Sequence, residues 1–296
     1  MKYLTTATTL LMQILRNVER KHLNLVAAGL AYYFIMSLFP GLVLLAAVAA
    51  YLPLPQGVQS VTTFLGYVMP PQAASLFAQV LGSIRTHRAG LLSFGIIVLL
   101  WLSSKGVKAV IAGLDMVYEV RTPRRVWTNR VLAFGLTFGV GILLLLAVMV
   151  MVAGPALKPF LLKAVPEHSL LFTVWPYLQW LPAAIFIFAA IELLYLLAPN
   201  LPVRQRRVTI PGALVVAATW LALSWGLGFY FQRFGEAKLV RFYEFLATPV
   251  AVMIWLYWSA FAILLGAEIN ASLQAYKNAK AAAPEEALQP RKMDAA

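Results

Sequence analysis

The sequence predicts an all-α, polytopic membrane protein of six transmembrane helices, with short interfacial or re-entrant helices on its outer side. Three observations predict it. The chain of 296 residues is 61% hydrophobic and only 12% charged, with a mean hydropathy of +0.79, more apolar surface than one soluble core could hide. The apolar residues gather in six runs near the roughly 20 residues a bilayer demands. The Lys and Arg residues between those runs alternate in abundance from one connection to the next.

Composition also excludes classes of chemistry. No cysteine is present, so disulfides, Cys-ligated zinc or iron–sulfur centres and thiol nucleophiles are ruled out. A net charge of +13 would suggest nucleic acid in a soluble domain. Beside six apolar runs it is better assigned to loops facing anionic lipid, and no nucleic-acid partner is expected.

Taken in order, residues 1–24 lack the continuous apolar core and cleavage site of a signal peptide. Leu4, Thr8, Leu11, Leu15 and Val18 repeat at helical spacing, with Arg16, Glu19, Arg20 and Lys21 near the end, which predicts a helix lying in the cytoplasmic interface. The first span covers Leu25 to Leu52, with Pro40-Gly41 favouring a kink inside it. Tyr32, Tyr33 and Ser37 precede the kink and either line a cavity or pack against neighbouring helices. Between Pro53 and Arg88, two short amphipathic pieces divided by Pro70-Pro71 suit outer interfacial or re-entrant helices.

The second span begins near Gly90 as GLLSFGIIVLLWLSS and turns charged before it ends. Trp101, Ser104, Lys105, Lys108, Ala112, Asp115 and Glu119 share one helical face, an arc of roughly 100°. At the helical rise, Lys105 lies roughly 22 Å and Lys108 roughly 27 Å along the axis, in a hydrocarbon core of about 30 Å. Such lysines snorkel to the headgroups, line a water-filled vestibule open to the cytoplasm with Asp115 and Glu119 at its mouth, or form a structural ion pair.

Val131 to Ala153 forms the third span, ending at Gly154-Pro155, and Lys158 to Trp175 a second outer segment. Pro176 to Ala198 is the fourth span, interrupted by Glu192, about 24 Å along its axis. Ile210 to Phe231, opened by Pro211, is the fifth, and Thr248 to Ala271 the sixth. The chain thus divides into a cytoplasmic amphipathic helix (1–24), a six-span bundle (25–272) and a disordered cytoplasmic tail (273–296). Cytoplasmic assignment follows from charge, since one set of connections and termini holds 15 Lys and Arg residues against 7 on the other side.

Glu268, in LLGAEIN, adds a fourth ionisable group displaced toward the same side as Lys105, Lys108 and Glu192. These four either face one another across a polar cavity or each mark a helix end. The first alternative lets opposite charges hold each other ionised against desolvation. His22, His87 and His168 fall on different sides and cannot form one metal cluster in this topology. No GxSxG, P-loop or HExxH motif occurs, so no enzyme, cofactor or metal is expected.

AAGLAYYFIMSLFP, WLSSKGVKAVIAGLDMVYEVRTPRR, LLYLLAPN with VRQRRVTIPGAL, and IWLYWSAFAILLGAEIN together resemble the YihY/BrkB family of bacterial inner-membrane proteins. The resemblance covers about residues 20 to 275 and implies a six-span bundle in the inner membrane. It also implies that the old family label of ribonuclease BN, regarded as a misassignment, does not apply, and it links members to virulence and to envelope lipid export. It points to Tyr32, Tyr33, Pro40, Asp115, Tyr118, Pro199, Asn200, Glu268 and Asn270 without giving them roles. The segment QRFGEAKLVRFYEFLATP departs from the Gly- and Ser-rich turn usual there.

The function expected is therefore a transporter or flippase admitting an anionic amphipathic envelope lipid or solute into a cytoplasm-open cavity. Its substrate-binding residues would be Lys105, Lys108, Asp115, Glu119, Glu192, Glu268, Tyr32 and Tyr33. The competing expectation is a non-transporting scaffold that recruits envelope-biogenesis proteins. Faces of small residues would permit a homodimer in either case.

Overall fold

The computed structural model describes residues 2–51, 89–120, 122, 124–162, 181–201, 208–234 and 244–287, and among the described residues there are seven α-helices and no strand. The helices are α1 (Lys2–Arg20), α2 (Leu23–Tyr51), α3 (Ala89–Val117), α4 (Val126–Leu162), α5 (Leu181–Leu197), α6 (Ile210–Phe234) and α7 (Glu244–Ala287). The two outer amphipathic pieces, most of the second outer segment, the arginines of the 199–209 loop and the end of the tail lie outside the described residues.

Helix bounds follow the apolar runs, with two differences. Helix α4 continues through Gly154-Pro155 to Leu162, where the sequence reading stopped it at Ala153. Helix α7 continues to Ala287 instead of ending at Ala271, because SLQAYKNAKAAA is rich in the residues of highest helix propensity. Helix α2 is unbroken across Pro40-Gly41.

Helix α7 is the hub. It packs against α1, α2, α3 and α6, while α3 also meets α2 and α4, and α5 lies between α4 and α6. The core gathers Leu23, Ala27 and Leu30 of α2, Ile111, Leu114 and Val117 of α3, and Ala260, Leu264 and Ala267 of α7 around Tyr195 of α5. Small side chains permit the close approach. A Cβ on Gly266 would overlap the Tyr195 hydroxyl and the Gly212 carbonyl, and one on Gly212 would overlap Gly266 and Asn270. Helices α5, α6 and α7 meet at these two glycines.

The outer surface is apolar. Val131, Phe134, Phe138, Ile142, Leu144 and Met149 of α4 are exposed, a stripe that soluble monomers rarely present. Leu11, Met12 and Leu15 of α1 are each more than half exposed, an apolar face on an otherwise polar helix. Two stretches, Val126–Ala147 and Val250–Ala279, are long and apolar enough to cross a membrane by length and composition, and Leu23–Ser37, Ala184–Leu197 and Ile210–Trp220 are shorter apolar helices. Three hydroxyls on this framework are satisfied within their own helices: Ser37 donates to the Phe34 carbonyl, Thr137 to Ala133 and Ser259 to Trp255.

Candidate functional site at the polar end of the bundle

The end of α1, the start of α2, the end of α3, the end of α5 and the start of α6 converge beside residues 268–274 of α7, and the polar side chains converge with them. At the centre stands Glu268, 1% exposed. Its carboxylate accepts from Lys21 Nζ at 2.8 Å, Asn17 Nδ2 at 2.7 Å and Ser272 Oγ at 3.0 Å. A carboxylate this buried is tolerable only when paired and hydrogen-bonded, and here it is both.

Local geometry explains how α1 delivers those donors. Asn17 and Lys21 are four apart and so share a helix face. His22 then adopts a left-handed backbone (φ 48°), its N–H bonding the Glu19 carbonyl at 3.0 Å and its own carbonyl accepting from Leu25 and Val26 to open α2. One residue ends α1 and caps α2. Lys21 Nζ also donates at 2.6 Å to the carbonyl of Val117, the last residue of α3, placing a cation at a helix C-terminus.

Helix α3 ends in the same manner. Glu119 is left-handed (φ 51°), its N–H bonding the Met116 carbonyl, while the Val120 N–H bonds that of Asp115, the paired closure of a Schellman motif. The Glu119 carboxylate meets Arg20 directly and lies 3.4 Å from Lys21. The Asp115 carboxylate accepts the Asn200 backbone N–H at 2.8 Å, and Asn200 Nδ2 donates to the Thr122 carbonyl at 2.7 Å. The Arg124 guanidinium closes α5 by donating to the carbonyls of Leu197, Ala198 and Pro199. The start of α6 is held from α7: Asn270 accepts the Gly212 N–H at 2.7 Å and donates to the Thr209 carbonyl at 2.9 Å, and Gln274 accepts the Val208 N–H at 3.1 Å.

Of the residues expected to bind substrate, Glu268, Glu119 and Asp115 belong to this end. Lys105 does not join Glu268 or Glu192; it is exposed, and its ammonium lies 3.6 Å from the centroid of the Trp101 ring one turn back on α3. Lys108 is half-buried, and neither lysine forms an ion pair among the described residues. Glu192 holds one carboxylate oxygen buried without a hydrogen-bond partner among the described residues. Tyr32 and Tyr33 are exposed and meet edge to face at 5.5 Å, with Gly106 of α3 against the Cβ of Tyr33. The cation opposite Glu268 is thus Lys21, at the end of α1, and not Lys105 or Lys108. The spacing of Asn17 to Lys21, and of Glu268 to Ser272, was the available clue. Among the described residues no three His, Asp or Glu side chains converge as a metal site.

Beside this network runs an open groove of about 440 Å³, lined by Val18, Glu19, His22, Asn24, Tyr257, Trp258 and Phe261. Its polar rim comes from the α1–α2 turn. Its floor is a set of mutually packed rings: Tyr257 and Trp258 at 5.5 Å, Trp258 and Phe261 at 5.6 Å, Tyr257 and Phe261 at 6.4 Å.

A family model described as virulence factor BrkB matches residues 14–290. The chain belongs to the BrkB family. Among BrkB-like relatives, the ribonuclease-like protein YfkH of Bacillus subtilis is 32% identical over 252 residues, 85% of this chain and 90% of that one. A UPF0761 membrane protein of Tolumonas auensis is 28% identical over 262 residues, covering 87% and 83%, and one of Vibrio campbellii is 24% identical over 265 residues, covering 88% and 80%. No solved structure matches. The BrkB match spans the whole polar end and the groove, and with the exposed apolar stripe it makes this chain a membrane protein.

Proposed function

We propose that this BrkB-family protein is a six-span protein of the bacterial inner membrane, with both termini in the cytoplasm, that transports or flips an anionic amphipathic envelope lipid. The observation that carries the reading is the groove: it is open and joins polar side chains of the α1–α2 turn to aromatic rings of α7. An amphipathic molecule needs both surfaces at once. Arg16, Arg20, Arg125 and Arg130 surround that end, and cationic side chains near a bilayer surface draw in anionic headgroups.

Lys105 and Lys108 then act as outlying attractors for the headgroup, while Glu268 fixes α1 through Lys21 and so sets the wall of the groove. Asp115 and Glu119 fasten the C-terminal end of α3, and Glu192, Tyr32 and Tyr33 belong to the path beyond. No covalent chemistry is assigned. The test is reconstitution into vesicles carrying a fluorescent phospholipid whose inner-leaflet pool is protected from a membrane-impermeant quencher. Quenching of both leaflets with wild type, slowed several-fold in Lys105→Ala/Lys108→Ala, supports the reading; rates equal to protein-free vesicles remove it.

A specific observation favours a second reading. Glu268, Asn270, Asp115 and Arg124 spend their hydrogen bonds on joining helices, as a non-transporting scaffold for envelope-biogenesis partners would require. Under that reading, the same substitutions lower partner recovery from membranes and leave lipid movement at background. A homodimer through the apolar stripe of α4 is compatible with both.

A further inference from the structure

The groove does more than accept an amphipathic shape, because its charge is not that of the surrounding loops. Glu19 brings a carboxylate to the rim, and unlike Glu119 and Glu268 at the same end it enters no ion pair among the described residues. Its neighbours Arg20 and Lys21 are turned away, toward Glu119 and Glu268. Lys21 points into the bundle and Arg20 lies along the exposed surface to Glu119, so neither neutralises the Glu19 carboxylate that lines the groove. Opposite Glu19 lie the rings of Tyr257, Trp258 and Phe261, with Trp258 43% exposed. A free carboxylate facing accessible aromatic surface is the combination that recognises an ammonium ion, through charge and through the ring quadrupole together.

The remaining rim residues suit a different atom of the same ligand. His22 and Asn24 are both exposed, and each offers N–H donors to an acceptor oxygen. Phe261 lies seven residues from Glu268 along α7, about 10 Å by helical rise, so the groove begins at headgroup depth and runs toward the apolar interior.

We infer that the groove binds an aminophospholipid, its ammonium held between Glu19 and the Tyr257, Trp258 and Phe261 rings and its phosphate by His22 and Asn24. The anionic feature sought by the basic loops is then the phosphate, and the amine is the selecting group. A glycerol-headed phospholipid lacks the cation and meets the Glu19 charge unpaired. The inference narrows the proposed cargo to a zwitterionic lipid whose phosphate is its anionic group, and it rests on the proposed transport for the groove's role as a cargo site, but binding is measurable without flux.

The experiment uses full-length protein in nanodiscs of equal phosphatidylethanolamine and phosphatidylglycerol, with retained lipids read by native mass spectrometry. Wild type is expected to retain the amine lipid over the glycerol lipid by about fivefold, the size of a single cation–π or ion contact. Glu19→Gln and Trp258→Leu are expected to return to the bath ratio, while Phe138→Leu on the far stripe keeps the preference. Both groove side chains are accessible, and helix content by circular dichroism confirms that the variants fold. Wild type at the bath ratio, or a preference untouched by both groove variants, overturns the inference. Vesicle flux on the same preparations separates the two claims. Selective retention without flux sinks transport and leaves the site; flux without selectivity sinks the site and leaves transport.

Discussion

Lys21 and Glu268, 247 positions apart in sequence, meet at 2.8 Å with side chains 9% and 1% exposed. The contact ties the end of α1 to the hub helix α7. Removing one partner strands the other, a loss of about 3–5 kcal/mol, whereas replacing both with apolar groups of similar volume is often neutral. Glu268→Ala and Lys21→Ala should therefore each lower the unfolding midpoint in detergent strongly. Lys21→Met/Glu268→Met should recover most of that loss, and a double variant as damaged as the sum of the singles would contradict pairing. The exposed Arg20–Glu119 pair should contribute no more than about 1 kcal/mol by the same measurement.

The glycine crossing gives a sharper steric forecast. A methyl group on Gly266 or Gly212 meets backbone and hydrogen-bonded side chains that cannot retreat, while one on Gly135 meets nothing within 4 Å. Gly266→Ala and Gly212→Ala should cost about 1–3 kcal/mol or prevent assembly. Gly135→Ala should be neutral or slightly stabilising, since alanine is the better helix former. Thermal unfolding of the three variants side by side checks the ordering.

Glu119 sets backbone conformation against charge. Its left-handed φ of 51° costs a non-glycine residue roughly 1–2 kcal/mol, and its ion pair is exposed and worth about 0–1 kcal/mol. The backbone term is the larger. Glu119→Gly should match or exceed wild type in stability, and Glu119→Val should fall well below it. A glycine variant less stable than the valine variant would show that the conformation is not the cost assumed.

Much of this architecture was legible because hydropathy and length act locally. The helix starts near Leu25, Gly90 and Ile210 were readable from apolar onset and from Pro211 in the first turn. The continuation of α7 to Ala287 was missed because an Ala- and Lys-rich helix carries no apolar stripe to announce it. The polar residues were recognisable, but their partners were not. An acid within an apolar run marked Glu268 as costly to bury, yet the charge that compensates it comes from the α1–α2 turn, and only packing decides which of several lysines arrives there. Lys105 illustrates the point from the other side, since a Trp one turn away gave it a local partner. The groove was illegible for the same reason: its rim and floor are more than two hundred residues apart in sequence.

Asn270 supplies the most specific test of how α6 is started. A helix leaves its first N–H groups without partners, and a side chain preceding the helix usually caps them. Here the Gly212 N–H is capped from another helix, by Asn270 Oδ1, while Asn270 Nδ2 bonds the Thr209 carbonyl, and all three groups are buried. Because no water replaces a lost partner at this depth, Asn270→Ala should cost the upper part of the usual capping range, about 2 kcal/mol. Asn270→Asp keeps the acceptor and loses the donor, so it should retain the Gly212 bond while placing a carboxylate oxygen against the Thr209 carbonyl, and it should not rescue. Hydrogen exchange resolved to residues 208–213 distinguishes these outcomes. Faster exchange confined to that segment in Asn270→Ala is the expected result, whereas unchanged protection there would mean that α6 holds its first turn without help from α7.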